Sequence, residues 1–275
     1  MKSLGCLSIE EKKEKGRNLN ILKAEVEQAL DARKEELAAK ELDAKLAAER
    51  IDVTLPVRPE QQGRIHPVSK IYEEVVAIFG EMGFEVAEGP DIEDQFHNFN
   101  ALNMPANHPA RQMQDTFYIN ENIVLRTQTS SMQIRTMEKR KPPIRVVCPG
   151  KTYRVDEDST HSPMFHQIEG LVVDKGVTMC HLKGVLEQFA REIYGPDTKV
   201  RFRPSFFPFT EPSVEVDVSC FSCGGKGCRT CKGTGWIEIL GAGMVHPRVL
   251  EGCGIDPNEY TGFAFGIGLE RLTMT

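Results

Sequence analysis

Apolar side chains recur at helical spacing near the start of the chain. Leu22, Val26 and Leu30 follow one another every four residues, and the stripe continues to Leu46 without an intervening proline. This spacing predicts one long helix with a single thin apolar face. So thin a stripe favours a helical hairpin or coiled coil that projects outward, with Gly16 as an early break. A solvated helix without a partner fits equally well.

The rest of the chain alternates between two amphipathic helices and short β-type runs. Residues 66–83 begin with His-Pro, which suits a first helical turn, and residues 178–193 place Leu, Phe and Ile on one helical face. The β-branched and aromatic runs lie at 123–125, 144–147, 167–173, 199–203, 214–218, 236–240 and 262–266. Helices separated among many strands predict an α+β fold, with a mainly antiparallel sheet flanked by helices.

The composition is that of a globular protein. The chain has 275 residues, of which 40% are hydrophobic, and a net charge of −6. These values exclude a disordered chain, a collagen-like repeat and a disulfide scaffold. The longest apolar stretches fall far short of the roughly 20 residues of a membrane span, and no signal peptide is recognisable, so we expect a soluble cytoplasmic protein without membrane contacts. The net charge argues against a broadly basic surface but leaves room for a local RNA-facing patch.

Proline and glycine interrupt the chain after the first helix, at Pro56, Pro59 and Gly63. Such a segment is typical of an extended linker. The predicted parts are a helical coiled-coil arm at 1–50, a linker at 51–64, and a larger domain at 65–275 that carries a cysteine hairpin insert at 219–235.

Four of the eight cysteines lie within twelve residues. They form two Cys-x-x-Cys pairs, Cys220 with Cys223 and Cys228 with Cys231. Two such pairs place four thiolates around one tetrahedral ion, and the intervening glycines permit the tight turns. The spacing predicts a structural zinc site with no open position for a substrate. An iron–sulfur cluster and a reduced, metal-free loop are the alternatives.

The segment 148–174 places two apolar runs around a polar loop, which predicts two antiparallel strands joined by a long connection. Arg154 ends the first strand, and the planar guanidinium of arginine is suited to holding a phosphate with two hydrogen bonds. On the second strand Phe165, Gln167 and Glu169 alternate and therefore share one face. A buried glutamine and glutamate are costly unless they bind something polar, and an ammonium group would suit them.

The end of the chain, GFAFGIGLER, leads an apolar run into Gly266 and Gly268, and Arg271 follows in a predicted helix. Glycines let a planar ligand approach the backbone closely, and the arginine adds positive charge beside the helix amides. This pattern alone is a weak signal, because a buried strand with a kink would look the same.

Together the two segments resemble motifs 2 and 3 of the class II aminoacyl-tRNA synthetases. Within that class the chain resembles the family of bacterial-type phenylalanyl-tRNA synthetase alpha subunits. The N-terminal helix is similar to the end of that family's tRNA-contacting coiled coil. The other matching blocks follow the family order, and they are HPVSKIYEEVVAIFGEMGF, EGPDIEDQFHNFNALNMPANHPARQMQDTFYI, LRTQTSSMQIR, YRVDEDSTHSPMFHQIEGL, FRPSFFPFTEPSVEVDV, WIEILGAGMVHPRVL and GFAFGIGLERLTM.

The resemblance implies the class II catalytic fold and a ligase that uses ATP to convert L-phenylalanine to phenylalanyl-adenylate, then transfers it to tRNA(Phe). It implies Mg²⁺ as a cofactor and a beta subunit as the partner in an α2β2 heterotetramer. No protein nucleophile is required, because positioning, two arginines and the metal ion spread the developing charge. Editing is expected in the beta subunit, since an apolar pocket rejects an added hydroxyl only about 100-fold.

The resemblance also assigns roles to individual residues. Those assigned to ATP are Arg154 at the α-phosphate, Arg271 at the γ-phosphate, His161 near the phosphates and Phe165 against the adenine, with the two arginines as catalytic groups. Those assigned to the amino acid are Gln167 and Glu169 at its ammonium group, Ser130 and Gln133 around its polar atoms, and Phe207, Phe209 and Ala264 around its ring. Glu211 is assigned to Mg²⁺. We expect Phe207 and Phe209 to alternate on one strand face, with their rings edge to face against the substrate.

The chain departs from the family pattern at several points. Gln128 stands where the family has histidine, Ser131 stands where it has proline, and the cysteine hairpin replaces a short turn. The chain begins within the coiled coil and stops at Thr275, directly after motif 3, so we expect truncation at both ends. Two alternatives stay open: a catalytically inactive synthetase-like subunit, and a zinc-bearing nucleic-acid or chaperone-type binding module.

Overall fold

The long N-terminal helix, α1, runs without interruption from Ile9 to Ala48, and none of its side chains is buried. Within this range the helix does not fold back into the predicted hairpin, whereas the other predicted arrangement, a coiled coil, stays a prediction. Gly16 does not break the helix, because its cost of about 1 kcal/mol is spread over a long run of strong helix formers. The computed structural model describes residues 9–50, 54, 63–112, 115–156 and 162–274, and these divide into two compact units with a boundary between Gly63 and Arg64. No described helix is long and apolar enough to cross a membrane.

The second unit is built on a seven-stranded sheet with the strand order β1-β4-β5-β9-β8-β7-β6. Its strands are β1 (Glu85–Val86), β4 (Ile144–Tyr153), β5 (Met164–Asp174), β6 (Val200–Phe207), β7 (Thr210–Ser219), β8 (Trp236–Val245) and β9 (Thr261–Gly268). Only the β1–β4 pair is parallel among these neighbours. A separate antiparallel pair joins β2 (Ile92–Asp94) to β3 (Ile123–Leu125). The mainly antiparallel α+β fold predicted from the sequence is confirmed.

Six α-helices are found among the described residues of this unit. They are α2 (Pro67–Glu81), α3 (Gln95–Asn98), α4 (Ser130–Lys139), α5 (Met179–Tyr194), α6 (Pro247–Gly252) and α7 (Leu269–Met274). The two helices predicted from apolar spacing, α2 and α5, are confirmed. Each helix has a side-chain cap at its start: His66 accepts a hydrogen bond from the Val68 N–H at 3.2 Å, and Thr178 forms a reciprocal capping pair with His181.

One face of the sheet packs on helices α2, α5 and α7 through a cluster of aromatic rings. Phe79 of α2 stacks on Phe189 of α5 and on Phe265 of β9, with ring centroids 5.0 Å apart in both pairs. The ring of Phe265 crosses to β5, where a Cβ atom on Gly170 would lie 2.1 Å from its Cζ atom. Glycine at position 170 is therefore required for this side of the core to close.

The opposite face of the sheet is covered only in part. Leu171 and Val173 of β5 join a second apolar cluster with Ile134 and Met137 of α4 and with residues of α6. Glu169, two residues before Leu171, points to the same face because strand side chains alternate. The uncovered part of this face, toward the start of β5, is where the polar residues collect.

Antiparallel pairing brings three connections to the same end of the strands, here called the rim of the sheet. The β4–β5 loop follows Tyr153, which pairs with Met164, and β9 ends at Gly268 opposite Gln167. The connection between β7 and β8 lies at the same rim, because Ser219, the last residue of β7, pairs with Trp236, the first residue of β8. The loop after Arg154, the start of α7 and the cysteine hairpin therefore lie along one rim.

Candidate active site

A cavity of 450 Å³ lies on the partly covered face of the sheet. Most of the residues predicted to bind the amino acid or ATP line it, namely Ser130, Gln133, Arg154, Gln167, Glu169, Phe207, Phe209 and Ala264. Residues from α4, β5, β6, β9 and the intervening turns thus meet in one place although they are far apart in the chain. His161 lies outside the described residues.

Glu169 is the central polar group of the cavity and is only 5% exposed. Its carboxylate accepts hydrogen bonds from the Thr129 N–H and from Gln133 Nε2, both at 3.1 Å, and from the Ser130 hydroxyl. Burial raises the pKa of Glu169 to about 7, although these donors pull it in the opposite direction. Ser130 and Gln133 therefore hold Glu169 in place as well as lining the cavity.

Gln167 offers a second acceptor beside Glu169. Its Oε1 atom is buried and has no hydrogen-bond partner within the described residues. A Cβ atom at Gly266, on the adjacent strand, would lie 3.0 Å from Gln167 Nε2 and 3.2 Å from Glu169 Cγ. The glycine therefore preserves space above both acceptors. A buried carbonyl oxygen without a donor favours a ligand that brings N–H groups.

Arg154 and Phe165 are paired at the mouth of the β4–β5 loop. The guanidinium carbon of Arg154 lies 5.0 Å from the centroid of the Phe165 ring, and its Nε donates to the Thr127 carbonyl at 3.3 Å. Phe165 does not itself appear in the cavity lining, although Arg154 does. The stacked contact orients the arginine fork, and within the described residues no hydrogen bond is made by its terminal nitrogens, which are the groups that could hold an anion.

Phe207 and Phe209 line the cavity together, but they do not alternate on one strand face as predicted. Phe207 is the last residue of β6, whereas Phe209 lies in the turn before β7, because Pro208 lacks an N–H and the chain reverses there. Their centroids are 5.8 Å apart with an interplanar angle of 12°, so the rings are stacked on each other. A Cβ atom at Gly241 would come within 2.8 Å of Phe207, so this glycine seats the ring.

An ion-pair network that the sequence reasoning missed lies along β6, β7 and β8. Arg203 contacts Glu215 at 2.8 Å, Asp217 at 2.7 Å and Glu238 at 3.1 Å. Glu238 also binds Arg271 at 3.0 Å. Burial alone would raise the pKa of Asp217, but the hydrogen bonds that Arg203 and Arg201 donate to its carboxylate outweigh burial and lower that pKa. The alternation V-E-V-D-V in β7 could have indicated a charged face.

Arg271 and Glu211 lie outside the cavity lining. Arg271 is 52% exposed, and Glu238, its partner, does line the cavity. Glu211 is exposed and faces a neighbouring depression with His108, His246 and other residues. The carboxylates that the structure brings into the cavity besides Glu169 are those of Glu215 and Glu238.

The two departures from the family pattern occupy buried positions. Gln128 is 8% exposed, lines the cavity, and donates from Nε2 to the Asn98 carbonyl at 3.2 Å. Ser131 is the second residue of α4, a position that tolerates proline, and its buried hydroxyl has no partner within the described residues. Neither substitution removes a donor from Glu169.

The four clustered cysteines converge at the end of the β7–β8 hairpin. Their sulfur atoms all lie within 4.8 Å of one another, with Cys220 and Cys228 3.7 Å apart and Cys223 and Cys231 3.9 Å apart. Four sulfurs at 2.3 Å from a tetrahedral ion are about 3.8 Å apart. Backbone N–H groups of Gly227 and Gly235 point at two of these sulfurs, at 3.2 Å each.

The chain is similar to class II aminoacyl-tRNA synthetases both in the family models that match it and in its individual relatives. The family model described as tRNA synthetases class II core domain (F) matches residues 50–275, and the model described as Aminoacyl tRNA synthetase class II, N-terminal domain matches residues 1–46. The chain is 58% identical over 274 residues to a protein of Azotobacter vinelandii named Phenylalanine--tRNA ligase alpha subunit, covering 100% of this chain and 81% of that protein. Proteins of the same name from Ectopseudomonas mendocina and Alkaliphilus oremlandii are also 58% identical, with the same coverage.

Proposed function

The chain belongs to the phenylalanine–tRNA ligase alpha subunits of the class II aminoacyl-tRNA synthetases, and from this premise we propose that its cavity activates L-phenylalanine with ATP and transfers it to tRNA(Phe). One observation carries the proposal: a buried carboxylate, Glu169, lies in the same cavity as the stacked rings of Phe207 and Phe209. A ligand that fits both must have a cationic group and an aromatic ring, and phenylalanine has both.

The amino acid is bound by three groups of side chains. Its ammonium group donates to the carboxylate of Glu169 and to the unpartnered Oε1 of Gln167. Its phenyl ring packs against Phe207 and Phe209, and Ala264 keeps the neighbouring wall small. Ser130 and Gln133, which were predicted to contact the amino acid, fix the orientation of Glu169. The substrate carboxylate is then left free to react.

In the first step a carboxylate oxygen of phenylalanine attacks the α-phosphorus of ATP. The bond from that phosphorus to the bridging oxygen breaks, so pyrophosphate leaves and phenylalanyl-adenylate remains. Arg154 can make two hydrogen bonds to the α-phosphate, and Phe165 offers an aromatic face to the adenine. Arg271 is held at the rim by Glu238 and is the group assigned to the leaving phosphates. Preorganised charge of this kind is worth about 10²–10³ in rate for one donor.

Mg²⁺ prefers oxygen ligands and is usually held at ATP sites by one or two carboxylates together with phosphate oxygens. The cavity contains carboxylates of this kind at Glu215 and Glu238, so its residues fit the ion. Glu211, the ligand predicted from the resemblance, lies in the adjacent depression and stays a prediction. When bound, the ion supplies charge neutralisation on the phosphates.

In the second step a terminal hydroxyl of tRNA(Phe) attacks the acyl carbon of the adenylate and AMP leaves. We propose a beta subunit as the partner that completes the enzyme, because the relatives are named alpha subunits. The alternative of a free zinc-bearing binding module is not favoured, since the synthetase core model spans the cysteine hairpin as well as the cavity. A cytoplasmic location, as expected from the sequence, would keep the four clustered thiols reduced and able to bind a metal ion.

ATP–pyrophosphate exchange tests the proposal. The full-length chain, assembled with its beta subunit, is assayed with each of the twenty amino acids in turn. Exchange that depends on phenylalanine supports the function, and a catalytically inactive subunit would give none with any amino acid. Exchange driven by another amino acid would show that Phe207 and Phe209 do not form the side-chain pocket.

Ala264→Gly is expected to admit a para-halogenated phenylalanine. Ala264 lines the cavity on β9, and removing its methyl group opens space against the substrate ring. One methyl-sized gap is worth about 1–3 kcal/mol of discrimination, so the relative kcat/KM for para-chlorophenylalanine should rise about 10- to 200-fold. Pyrophosphate exchange with both amino acids measures the ratio.

Ala190→Gly is the matched control, because Ala190 is fully buried in α5 outside the cavity. Ala190→Gly should lower the free energy of unfolding without changing the ratio of kcat/KM for para-chlorophenylalanine to that for phenylalanine. An unchanged ratio in a folded Ala264→Gly protein would remove Ala264 from the pocket.

We propose that the four clustered cysteines bind one structural zinc ion per chain. The separation of their sulfurs matches a tetrahedral tetrathiolate site, whereas an iron–sulfur cluster interposes several ions and would need wider spacing. Although burial raises the pKa of Cys231, the backbone N–H groups of Cys228 and Gly235 outweigh it and lower that pKa, which favours the thiolate. The ion would cross-link the two arms of the hairpin near its tip and would take no part in catalysis.

Cys228→Ser combined with Cys231→Ser is expected to abolish zinc binding and to lower the thermal midpoint by several degrees, because the tip loses its cross-link. Affinity for phenylalanine should change by less than about tenfold, since the hairpin lies beyond the cavity residues. Metal analysis by mass spectrometry and calorimetry give the two readouts. The exposed Cys180 supplies a control, Cys180→Ser, that should change neither. Protein purified without chelator that holds no zinc would contradict the site.

A further inference from the structure

The cysteine hairpin carries positive charge that the proposed function leaves unused. Lys226, Arg229 and Lys232 are exposed, and none of them forms an ion pair within the part of the chain that the structure describes. No aspartate or glutamate occurs between Asp217 and Glu238, whereas the whole chain has a net charge of −6. The tip is therefore a local basic surface on an acidic protein.

The backbone conformation of Lys232 indicates that its side chain has a use. Within the described residues only Asn103 and Lys232 combine a side chain with a positive φ, at 56° and 50°. Asparagine adopts this region readily, but lysine does so at a steric cost, and glycine would relieve it. The backbone alone would favour glycine at position 232, so the charge is the property that the lysine adds.

The position of the tip along the sheet indicates which molecule would meet this charge. The hairpin opens at the same rim as the loop after Arg154 and the start of α7. With strands about 4.8 Å apart, β7 lies three spacings, or about 14 Å, from β5. The tRNA terminus must reach the cavity beside β5 for acyl transfer, so its neighbouring nucleotides come close to this rim.

The chemistry of the tip suits a nucleic acid better than a protein surface. Cys220 and Cys231 are buried and Cys223 and Cys228 are partly buried, whereas the three cations are exposed. The tip has one exposed aromatic ring, Phe221, and besides the cysteines and the three cations it consists of glycine, serine and threonine. Cores of protein–protein interfaces are depleted in lysine, whereas RNA is held by cations along its phosphates and by aromatic stacking on unpaired bases.

We propose that the tip of the cysteine hairpin binds the phosphate backbone at the acceptor end of tRNA through Lys226, Arg229 and Lys232. This inference rests on the proposed function, because it takes tRNA to be the second substrate. Each phosphate contact releases bound counterions, so the contribution of the tip should weaken with salt. The hairpin would then act in the transfer step and leave amino acid activation unchanged.

The test combines Lys226→Ala, Arg229→Ala and Lys232→Gly in the full chain assembled with its beta subunit. We expect the KM for tRNA(Phe) in aminoacylation to rise about tenfold or more. Filter binding measures the slope of log affinity against log salt concentration. Each lost phosphate contact makes this slope shallower by roughly 0.7–0.9, so the triple variant should make it shallower by about 2. Phenylalanine-dependent exchange without tRNA should stay within twofold of the wild type. Lys232→Gly alone should weaken tRNA binding while keeping or raising the thermal midpoint.

The control removes two exposed positive charges at the opposite rim of the sheet, through Lys139→Ala and Lys141→Ala, neither of which forms an ion pair within the described residues. It should leave the KM and the salt slope unchanged. An unchanged tRNA KM and salt slope in the tip variant would overturn the inference. Loss of the heterotetramer, measured by mass photometry, would overturn it as well, because the tip would then belong to the beta-subunit interface. Failure of the proposed function is distinguishable, since wild-type protein would then show no phenylalanine-dependent exchange.

Discussion

Glu169→Gln is expected to lower kcat/KM for phenylalanine activation by about 10²- to 10³-fold. The carboxylate is buried and is the one formally charged acceptor among the groups that face the ammonium group. Removing one partner of a buried charge pair costs about 3–5 kcal/mol, and each 1.4 kcal/mol is tenfold. Pyrophosphate exchange at saturating ATP measures the loss. Glu259→Gln, at an exposed ion pair with Lys175, should have no effect. A loss of less than tenfold would contradict the role of Glu169.

The pH dependence of binding should identify the same group. Burial raises the pKa of Glu169 from 4.5 to about 7, so in this interval the folded protein holds a proton that the unfolded chain has lost. Ligand-free protein therefore loses stability as the pH rises from about 4.5 to 7. An ammonium group binds the ionised form, so the KM for phenylalanine should rise as the pH falls below about 7. In Glu169→Gln this dependence should be absent.

Arg154→Ala is expected to reduce kcat for pyrophosphate exchange by about 10²- to 10³-fold, the usual effect of removing one preorganised donor from a transition state. Arg154→Lys should recover only part of the rate, because an ammonium group keeps the charge but loses the bidentate geometry. Stopped-flow or single-turnover formation of the adenylate would separate this effect from product release.

Arg145→Ala is the control for Arg154→Ala. Arg145 lies in β4, the strand that Arg154 directly follows, and its guanidinium carbon lies 5.7 Å from the Phe84 ring centroid. This contact is of the same kind as that of Arg154 with Phe165. Loss of this contact should lower stability slightly and leave kcat unchanged. Equal losses of kcat in the two variants would mean that Arg154 acts through the fold rather than on the phosphate.

The sequence predicted those parts of the fold that follow from local periodicity. Helices α2 and α5 have clear apolar faces, and the strands around Glu169 are rich in β-branched residues, so both are recognisable. Helix α4 was not predicted, because its buried face contains Ser130, Ser131 and Gln133 as well as apolar residues. Ser130 and Gln133 donate hydrogen bonds to Glu169, which lies 39 and 36 positions further along the chain. A local sequence pattern cannot show pairing over such a distance.

The candidate site was predictable to a similar degree. Alternation along β5 correctly placed Gln167 and Glu169 on one face, and the resemblance supplied partners from distant segments. The same alternation failed for Phe207 and Phe209, because Pro208 turns the chain between them. The network around Arg203 depends on the neighbouring strands β7 and β8, so it required the tertiary structure.

The two edges of the sheet have a consequence for self-association. An open edge strand offers unpaired N–H and carbonyl groups on which another chain can add a strand and begin to aggregate. At one edge β1 is only two residues long, and at the other β6 carries Arg201, Arg203 and Pro204. Proline lacks the N–H that an added strand would need, and charged side chains resist dehydration. Substituting all three β6 residues with valine should therefore promote fibrous, strand-paired assemblies, even though every group in the cavity would be retained.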